Sequence, residues 1–110
     1  MKRVIIMRGI PGSGKSTRAR ELVAEGIIHS TDDLFMVDGE YKFNPKLLGR
    51  NHSLNLSNFE DSLEKELSPV IVDNTNVRHR DYKEYVTRAA EFGYDVQFEV
   101  LPLIEVKVAV

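Results

Sequence analysis

A glycine-rich stretch near the start of the chain has the composition of a phosphate-binding loop. Residues 9–16 read GIPGSGKS, which fits the pattern of a glycine, four residues, then glycine, lysine and serine or threonine. Glycines allow the backbone to curl closely around an anion with successive N–H groups pointing inward. The lysine can reach a β- or γ-phosphate, and the hydroxyl after it is a ligand that Mg²⁺ accepts. The spacing therefore predicts a site for ATP or GTP with Mg²⁺.

The surroundings of this loop agree with that interpretation. The apolar run 4–7 precedes it and a helical pattern follows it. The alternative is an ordinary glycine turn between a strand and a helix. The stretch is not a dinucleotide-binding fingerprint, because Thr17 stands where that pattern has a further glycine. We expect the phosphates to contact six consecutive residues: Gly12, Ser13, Gly14, Lys15, Ser16 and Thr17.

A pair of carboxylates follows the second apolar stretch of the chain. Residues 27–29 are apolar or aromatic, and residues 30–33 read STDD. In a doubly wound sheet, ligands bind beyond the carboxyl ends of the strands. Asp32 or Asp33 could therefore face a γ-phosphate and accept the proton of an attacking hydroxyl. The alternative is that the pair caps a short helix, and both roles can hold at once.

A second acidic position follows the third apolar stretch. Residues 70–72 are apolar, and residues 73–76 read DNTN. A carboxylate directly after a buried strand is where P-loop proteins hold Mg²⁺, so we expect this role for Asp73. Asn74, Thr75 and Asn76 would then line the pocket of the phosphate acceptor. The alternative is a polar turn that leads into the next helix.

Four further residues carry two interpretations each. Arg78 opens a basic run that either binds a phosphate of the substrate or forms a solvated helix start. His52 lies on the apolar stripe of a long helix, where it either packs in the core or shapes the acceptor pocket. Tyr41 and Phe43 either stack on a base or anchor a loop.

Strands and helices alternate along the chain, which predicts a doubly wound, mainly parallel α/β sheet in three layers. Asp38 and Gly39 indicate a turn. The segment 103–110 is either a strand or the start of a helix. The predicted strands are 4–7, 27–29, 70–72 and 96–100, and the predicted helices are 15–25, 45–67 and 81–92.

Length and composition limit the possible classes. The 110 residues predict one domain, 1–110, and the net charge of −2 gives no general indication of nucleic-acid binding. The sequence contains no cysteine, which excludes disulfides and thiolate metal sites. No apolar run approaches the ~20 residues of a membrane span, and 4–7 is too short for a signal peptide. We therefore expect a cytoplasmic protein without a membrane partner.

The motifs together resemble a known family. GIPGSGKST at 9–17, STDD at 30–33 and DNTN at 73–76 look like the polynucleotide-kinase branch of small P-loop kinases. Within that branch, DGEYKFNP at 38–45 and the later His52 and Asn55 resemble the P-loop (AAA-type ATPase) domain of the Nedd-four-binding-protein-two-like group. The likeness covers roughly residues 4–101.

The resemblance implies transfer of the γ-phosphate of ATP to a 5′-hydroxyl at a single-stranded nucleic-acid end. It makes Asp32 the general base and Lys15 a catalytic residue, with Ser16 and Asp73 on Mg²⁺. The pattern also departs from the family at one point. Phage polynucleotide kinases carry an arginine shortly after the Asp pair, where residues 34–36 here read LFM.

A second departure concerns the family's lid, an arginine-bearing segment that follows the fourth strand and is not present in this sequence. An arginine that spreads charge off the transferring phosphoryl group is worth about 10³–10⁵ in rate. Two other functions therefore stay open: a nucleotide-binding module with little or no transfer, and a kinase for a nucleoside or sugar. The apolar segment 103–110 suggests a homodimer.

Overall fold

The computed structural model describes residues 2–10, 13–76 and 78–101. Its centre is a four-stranded parallel sheet in the order β2-β5-β1-β6, and β3 pairs with β4 in a short antiparallel hairpin. The mainly parallel sheet that the sequence predicts is confirmed. The strands are β1 (Arg3–Arg8), β2 (Ile27–His29), β3 (Met36–Val37), β4 (Glu40–Tyr41), β5 (Val70–Asp73) and β6 (Asp95–Val100).

Three α-helices and two 3₁₀ turns connect these strands. The 3₁₀ turn Pro45–Leu47 leads directly into the second helix, and its start is fixed because Asn44 accepts a hydrogen bond from the N–H of Lys46 at 3.0 Å. None of the helices in the described ranges is long and apolar enough to cross a membrane. The helices are α1 (Lys15–Leu22), α2 (Leu48–Glu64) and α3 (His79–Glu91), and the other 3₁₀ turn is Thr31–Phe35.

Helices cover both faces of the sheet, so the protein has three layers. Because side chains alternate along a strand, β1 sends Ile5 and Met7 to the face covered by α1, and Val4 and Ile6 to the opposite face. All four side chains are buried, which explains why β1 reads as a continuous apolar run. On the second face the core includes Phe59 and Leu63 of α2 and Tyr85 and Ala89 of α3.

The structure corrects the ends of the predicted helices. The first ends at Leu22 and not at residue 25, because Ala24 has a positive φ of 46°. The long helix ends at Glu64 and not at residue 67, because Glu66 has a positive φ of 59°. A β-carbon disfavours this left-handed conformation, and a helix does not continue through it.

Two further differences from the sequence prediction concern the exposure of Phe92 and the two short strands β3 and β4. The spacing of Tyr85, Ala89 and Phe92 predicts that all three face the core, but Phe92 follows α3 and is 37% exposed. The turn at Asp38 and Gly39 is confirmed. It joins β3 and β4, which have only two residues each, and a strand of two residues is too short to show an alternating pattern in the sequence. The expectations for the segment 103–110, including the homodimer, lie outside the described residues.

Candidate functional site

The parallel sheet brings three polar loops to one edge. All four strands of the sheet run in the same direction, so their carboxyl ends meet there. The pairing of β1 with β5 places Met7 beside Asp73, and that of β2 with β5 places His29 beside Val72. The loop after β1, the STDD segment after β2 and the DNTN segment after β5 therefore lie next to one another.

The loop after β1 is held close to the backbone of its neighbours. The N–H of Gly9 donates to the carbonyl oxygen of Thr75 at 3.0 Å. A β-carbon at Gly9 would lie 2.7 Å from Oγ of Ser13 and 2.8 Å from the carbonyl oxygen of Leu101, so only glycine fits. Gly14 precedes α1 with a φ of 87°, which also favours glycine. Gly12 lies outside the described residues.

The N-terminus of α1 is open to an anion. Gly14 caps the helix without a side chain, and the first turn contains no acidic residue. The first N–H groups of the helix therefore receive no side-chain cap, and they carry the positive end of the helix dipole. The Oγ atom of Ser13 is buried and has no hydrogen-bond partner among the described residues. This arrangement of donors suits a phosphate group.

Lys15, Ser16 and Asp73 form a compact cluster at this edge. The Nζ atom of Lys15 lies 3.2 Å from Oδ1 of Asp73, and the side chains are only 12% and 7% exposed. The hydroxyl of Ser16 donates to Oδ2 of Asp73 at 3.0 Å. Oδ1 is buried and makes the ionic contact without a well-directed hydrogen bond. The sequence-predicted pairing of Ser16 with a carboxylate after β5 is thus present in space.

The donor set in this cluster fits Mg²⁺. Both candidate ligands are hard oxygen atoms, the hydroxyl of Ser16 and the carboxylate of Asp73, and they are already in contact. The described part of the chain has no group of three His, Asp or Glu side chains that could hold a metal alone. This agrees with the usual coordination of Mg²⁺, in which one or two carboxylates act together with waters and substrate phosphates.

Asp32 and Asp33 lie in the 3₁₀ turn that follows β2. Ser30 is the N-cap, so the carboxylates are not caps themselves but occupy the first turn. Both residues are exposed. Partial burial raises the pKa of Asp33, and the negative charges of Asp73 and Asp32 raise it further. All three residues border one cavity.

Two cavities meet at Asp32. One, the loop cavity, has a volume of about 280 Å³ and is bordered by Lys15, Ser16 and Asp73. The other, the helix cavity, has a volume of about 440 Å³ and lies against α2 and α3. Asp32 borders both, whereas Asp33 borders only the loop cavity. Among the described residues, Asp32 is the one that the linings of the two cavities share.

The loop cavity also contains a cation that the sequence analysis did not identify. Arg20 borders it together with Lys15 and Ser16. Because Arg20 lies four residues after Ser16 in the same helix, both point from one face of α1, and this spacing is the signal that was available. Its neighbour Arg18 is engaged elsewhere, since its guanidinium contacts Glu99 at 2.7 Å and Glu21 at 3.1 Å.

Asn74, Thr75 and Asn76 border the helix cavity. The amides of both asparagines also have internal partners. Asn76 is 1% exposed and donates to the carbonyl oxygen of Met7 at 2.7 Å, which ties the end of β1 to the DNTN segment. Oδ1 of Asn74 accepts the N–H of Thr31 at 2.9 Å, which ties the same segment to the residue before Asp32.

A buried polar network extends this connection into the helices. The hydroxyl of Tyr85 accepts hydrogen bonds from Asn55 at 2.9 Å and from Asn74 at 3.4 Å. Burial raises the pKa of Tyr85, and these hydrogen bonds partly offset the shift. Oγ1 of Thr31 lies 3.2 Å from Nδ1 of His52. The network therefore links α2, α3 and β5 to the turn that carries Asp32.

The remaining candidates differ in whether they border the helix cavity. His52 is exposed and borders the helix cavity, which favours the pocket interpretation over the core. Arg78 does not border either cavity in the described part of the chain. It caps α3, where its N–H donates to Asp81 at 3.0 Å, and Arg80 borders the helix cavity in its place. The residue of this basic run that borders the cavity thus lies two positions after Arg78.

The chain is similar to known proteins both in sequence and in structure. NEDD4-binding protein 2 of Homo sapiens is 42% identical over 98 residues, which cover 86% of this chain and 6% of the human protein. The chain thus spans only a small part of that relative. A chain of the Pnkp1/Rnl/Hen1 RNA repair complex superposes with a TM-score of 0.76 at 28% identity, covering 94% of this chain and 34% of that one.

A more distant structure shows the same fold. The APS kinase of Mycobacterium tuberculosis superposes with a TM-score of 0.60 at 18% identity, covering 90% of this chain and 74% of the kinase. The family described as an AAA domain (AAA_33) matches residues 4–105, nearly the whole chain. This chain therefore belongs to the AAA domain (AAA_33) family and has the P-loop kinase fold.

Proposed function

We propose that this chain binds ATP with Mg²⁺ and transfers the γ-phosphate to the 5′-hydroxyl of a polynucleotide. The observation that carries the proposal is the position of Asp32 between the two cavities. The loop cavity has the donors that a triphosphate needs, and the helix cavity offers a separate space for an acceptor. When an acceptor oxygen attacks a phosphate, a base must accept its proton. A carboxylate that borders both the loop cavity and the helix cavity is placed to do so.

On the nucleotide side, the open N-terminus of α1 and the backbone of the glycine loop hold the phosphates. The loop contacts come from Gly12, Ser13, Gly14 and Thr17. Lys15 exchanges its contact with Asp73 for the β- and γ-phosphates, which neutralises charge on the transferring group.

Ser16 and Asp73 would hold Mg²⁺, which supplies positive charge to the β- and γ-phosphate oxygens. Arg20 borders the same cavity and adds a second protein cation beside Lys15. Together these residues fix the triphosphate before the acceptor arrives, and positioning of this kind is the main contribution that a kinase makes.

On the acceptor side, Asp32 accepts the proton of the attacking hydroxyl. The acceptor oxygen forms a bond to the γ-phosphorus, and the bond from that phosphorus to the bridging oxygen breaks. The bridging oxygen keeps the electron pair and leaves on ADP. The contacts through Asn74 and Tyr85 hold the turn that carries Asp32, while Asn76 and Arg80 border the space for the acceptor.

Two observations support a nucleic-acid acceptor. A chain of an RNA repair complex is 28% identical to this chain, covers 94% of it and has the same fold. Arg80 and His52 border the helix cavity and can contact a phosphate or base of a strand end. Asp33 lies beside Asp32, and we assign it to the electrostatics of the loop cavity.

A small-molecule kinase is the second candidate. The helix cavity has about 440 Å³, which lies within the range of small-molecule sites, about 300–1,000 Å³. An acceptor panel separates the two functions: a 5′-hydroxyl oligonucleotide, a nucleoside and adenylyl sulfate, each with labelled Mg-ATP. Transfer to the oligonucleotide alone supports the proposal. Transfer to a small acceptor alone would replace it, and ATP binding without any transfer would leave a nucleotide-binding module.

A further inference from the structure

Large apolar side chains are exposed together on one short segment. Five of them lie between residues 36 and 48, where β3, β4 and the start of α2 meet. We call the part from Met36 to Phe43 the aromatic hairpin. Exposed apolar residues that stand alone are ordinary, whereas a contiguous group indicates a binding surface. The five are Met36, Val37, Tyr41, Phe43 and Leu48.

The two aromatic rings of this hairpin are held from beneath. Phe35 is 2% exposed, and its ring lies 6.2 Å from that of Tyr41 and 5.1 Å from that of Phe43. The N–H of Lys42, between the two aromatic residues, donates to the carbonyl oxygen of Phe35 at 2.9 Å. Tyr41 is nevertheless 54% exposed and Phe43 51%. Each ring thus keeps a large free surface on a fixed support.

The hairpin is continuous with the helix cavity. Leu48, the first residue of α2, borders that cavity together with Asp32. Phe35, which supports both rings, lies in the same 3₁₀ turn as Asp32. The exposed rings are therefore held by the turn that carries the residue bordering both cavities.

We propose that Tyr41 and Phe43 form a stacking platform for the terminal base of a single-stranded 5′-hydroxyl acceptor. This inference rests on the proposed function, because it places the reactive 5′-hydroxyl near Asp32 and the attached base on the adjacent rings. Aromatic faces bind any base, since every base has a π-face. The platform would thus bind a strand end without reading its sequence.

Charged residues next to the platform suit the same occupant. Lys46 and Arg50 follow the hairpin at the start of α2, and both are exposed. Among the described residues, neither side chain has an ion-pair partner within 4.0 Å. Cations beside exposed aromatic rings are the combination that single-stranded nucleic acids recognise, and such contacts weaken as salt rises.

Binding of two matched oligonucleotides tests the platform directly. Both are short single strands with a free 5′-hydroxyl and a 3′ fluorophore, and one of them has an abasic first nucleotide. Fluorescence anisotropy at constant salt gives the affinity of each. We expect the chain to bind the complete strand about tenfold more tightly than the abasic one, because only the complete strand offers a base to stack.

Substitutions then locate the contact. Tyr41→Leu and Phe43→Leu keep an apolar side chain against Phe35 but remove an aromatic face, and each should reduce the tenfold preference. Tyr41→Phe keeps the ring and should retain the preference, even where transfer slows. Phe92→Leu is the matched control, because Phe92 is exposed at the far end of α3. Melting temperatures of all variants identify any that fail to fold.

The outcomes separate the platform from the proposed function. Equal affinity for both strands, no strand binding at all, or a preference that persists in both leucine variants would overturn the platform, whatever the transfer assay shows. A base-dependent affinity that is lost in the leucine variants supports it, even if no phosphate is transferred. Self-association of the wild type that the leucine variants abolish, without strand binding, would instead assign the hairpin to a second copy of the chain.

Discussion

The Nζ atom of Lys15 lies 3.2 Å from Oδ1 of Asp73, in a cluster where both side chains are nearly buried. In the absence of nucleotide, each charge is therefore compensated by the other. In the proposed function, a triphosphate and Mg²⁺ would replace this contact without leaving either charge unpaired, because Lys15 would pair with the phosphates and Asp73 with the metal. The ion pair thus keeps both buried charges compensated while no ligand is bound.

Replacing Lys15 with methionine should therefore affect both stability and binding. Lys15→Met leaves the carboxylate of Asp73 buried without its counter-ion, and we expect the free energy of unfolding to fall by about 3–5 kcal/mol. ATP affinity should be lost. Urea denaturation and calorimetric titration measure the two effects.

An exposed ion pair provides the control for this substitution. Lys65 lies 2.7 Å from Asp61, but the two side chains are 65% and 57% exposed. Lys65→Met should change the free energy of unfolding by less than about 1 kcal/mol and leave ATP binding intact. Unaltered ATP affinity in Lys15→Met would contradict the assignment of the loop.

The hydroxyl of Tyr85 should matter for the rate of transfer. Tyr85→Phe removes the acceptor of Asn55 and Asn74, which weakens the connection to the turn that carries Asp32. We expect a loss of about 1–3 kcal/mol in stability, because buried amide N–H groups lose their partner. We also expect kcat to fall about tenfold while the KM for ATP is unchanged.

Tyr94→Phe distinguishes positioning from general destabilisation. The hydroxyl of Tyr94 donates to the carbonyl oxygen of Leu67 at 2.6 Å, and the residue is 5% exposed, as is Tyr85. This variant should lose comparable stability without a change in kcat. Equal rate losses in both variants would show that the network around Tyr85 has only a structural role.

Arg20 should contribute to nucleotide affinity, although the sequence analysis did not identify it. It borders the loop cavity, so Arg20→Ala should weaken ATP binding about fivefold, and more at low salt than at high salt. Arg18→Ala is the control, because that guanidinium is engaged with Glu99 and Glu21. Titrations at two salt concentrations test this, and equal effects of the two substitutions would remove Arg20 from the site.

His29 should make stability depend on pH above the range in which carboxylates titrate. Burial lowers the pKa of His29 from its ordinary 6.5, and the charge of Asp61 offsets this in part. The unfolded chain therefore binds a proton at His29 more readily than the folded protein does. Stability is complete above pH 6.5 and decreases as the pH falls through that value toward the lower folded pKa.

Replacing His29 with glutamine should remove this dependence. Nε2 of His29 lies 2.7 Å from Oγ of Ser62, and an amide can keep a hydrogen bond there without titrating. Urea denaturation between pH 8 and pH 5 should therefore show a flatter profile for His29→Gln than for the wild type. Parallel profiles would show that His29 does not couple protonation to folding.

The fold could be predicted where burial produces a recognisable pattern of apolar residues along the sequence. Residues 4–7 of β1 and 70–72 of β5 are continuous apolar runs, because both faces of these strands are covered, whereas β6 alternates in part. Each predicted strand is present to within one residue of its predicted ends. The buried face of α2 was harder, since it includes the polar Asn51, Asn55 and Ser62. Their partners are distant in the sequence, so composition alone does not show that they are buried.

The residues of the candidate site also differ in whether the sequence could predict them. The glycine loop and the segments after β2 and β5 are local motifs, and the parallel sheet brings them together. Arg20 stands four residues after Ser16 on α1, so its spacing was an available signal. Tyr85 contributes through Asn55 and Asn74, thirty and eleven residues away, and such contacts require the packing of the helices and could not be derived from spacing.

The most direct test of the proposed function is single-turnover transfer from labelled Mg-ATP to a 5′-hydroxyl oligonucleotide by three proteins. These are the wild type, Asp32→Asn and the matched Asp33→Asn. We predict that the wild type transfers phosphate, that Asp32→Asn binds ATP normally but reacts at least about 100-fold more slowly, and that Asp33→Asn retains most of the rate. Transfer by Asp32→Asn at the wild-type rate would contradict the central claim, because no proton would then pass to the carboxylate between the two cavities.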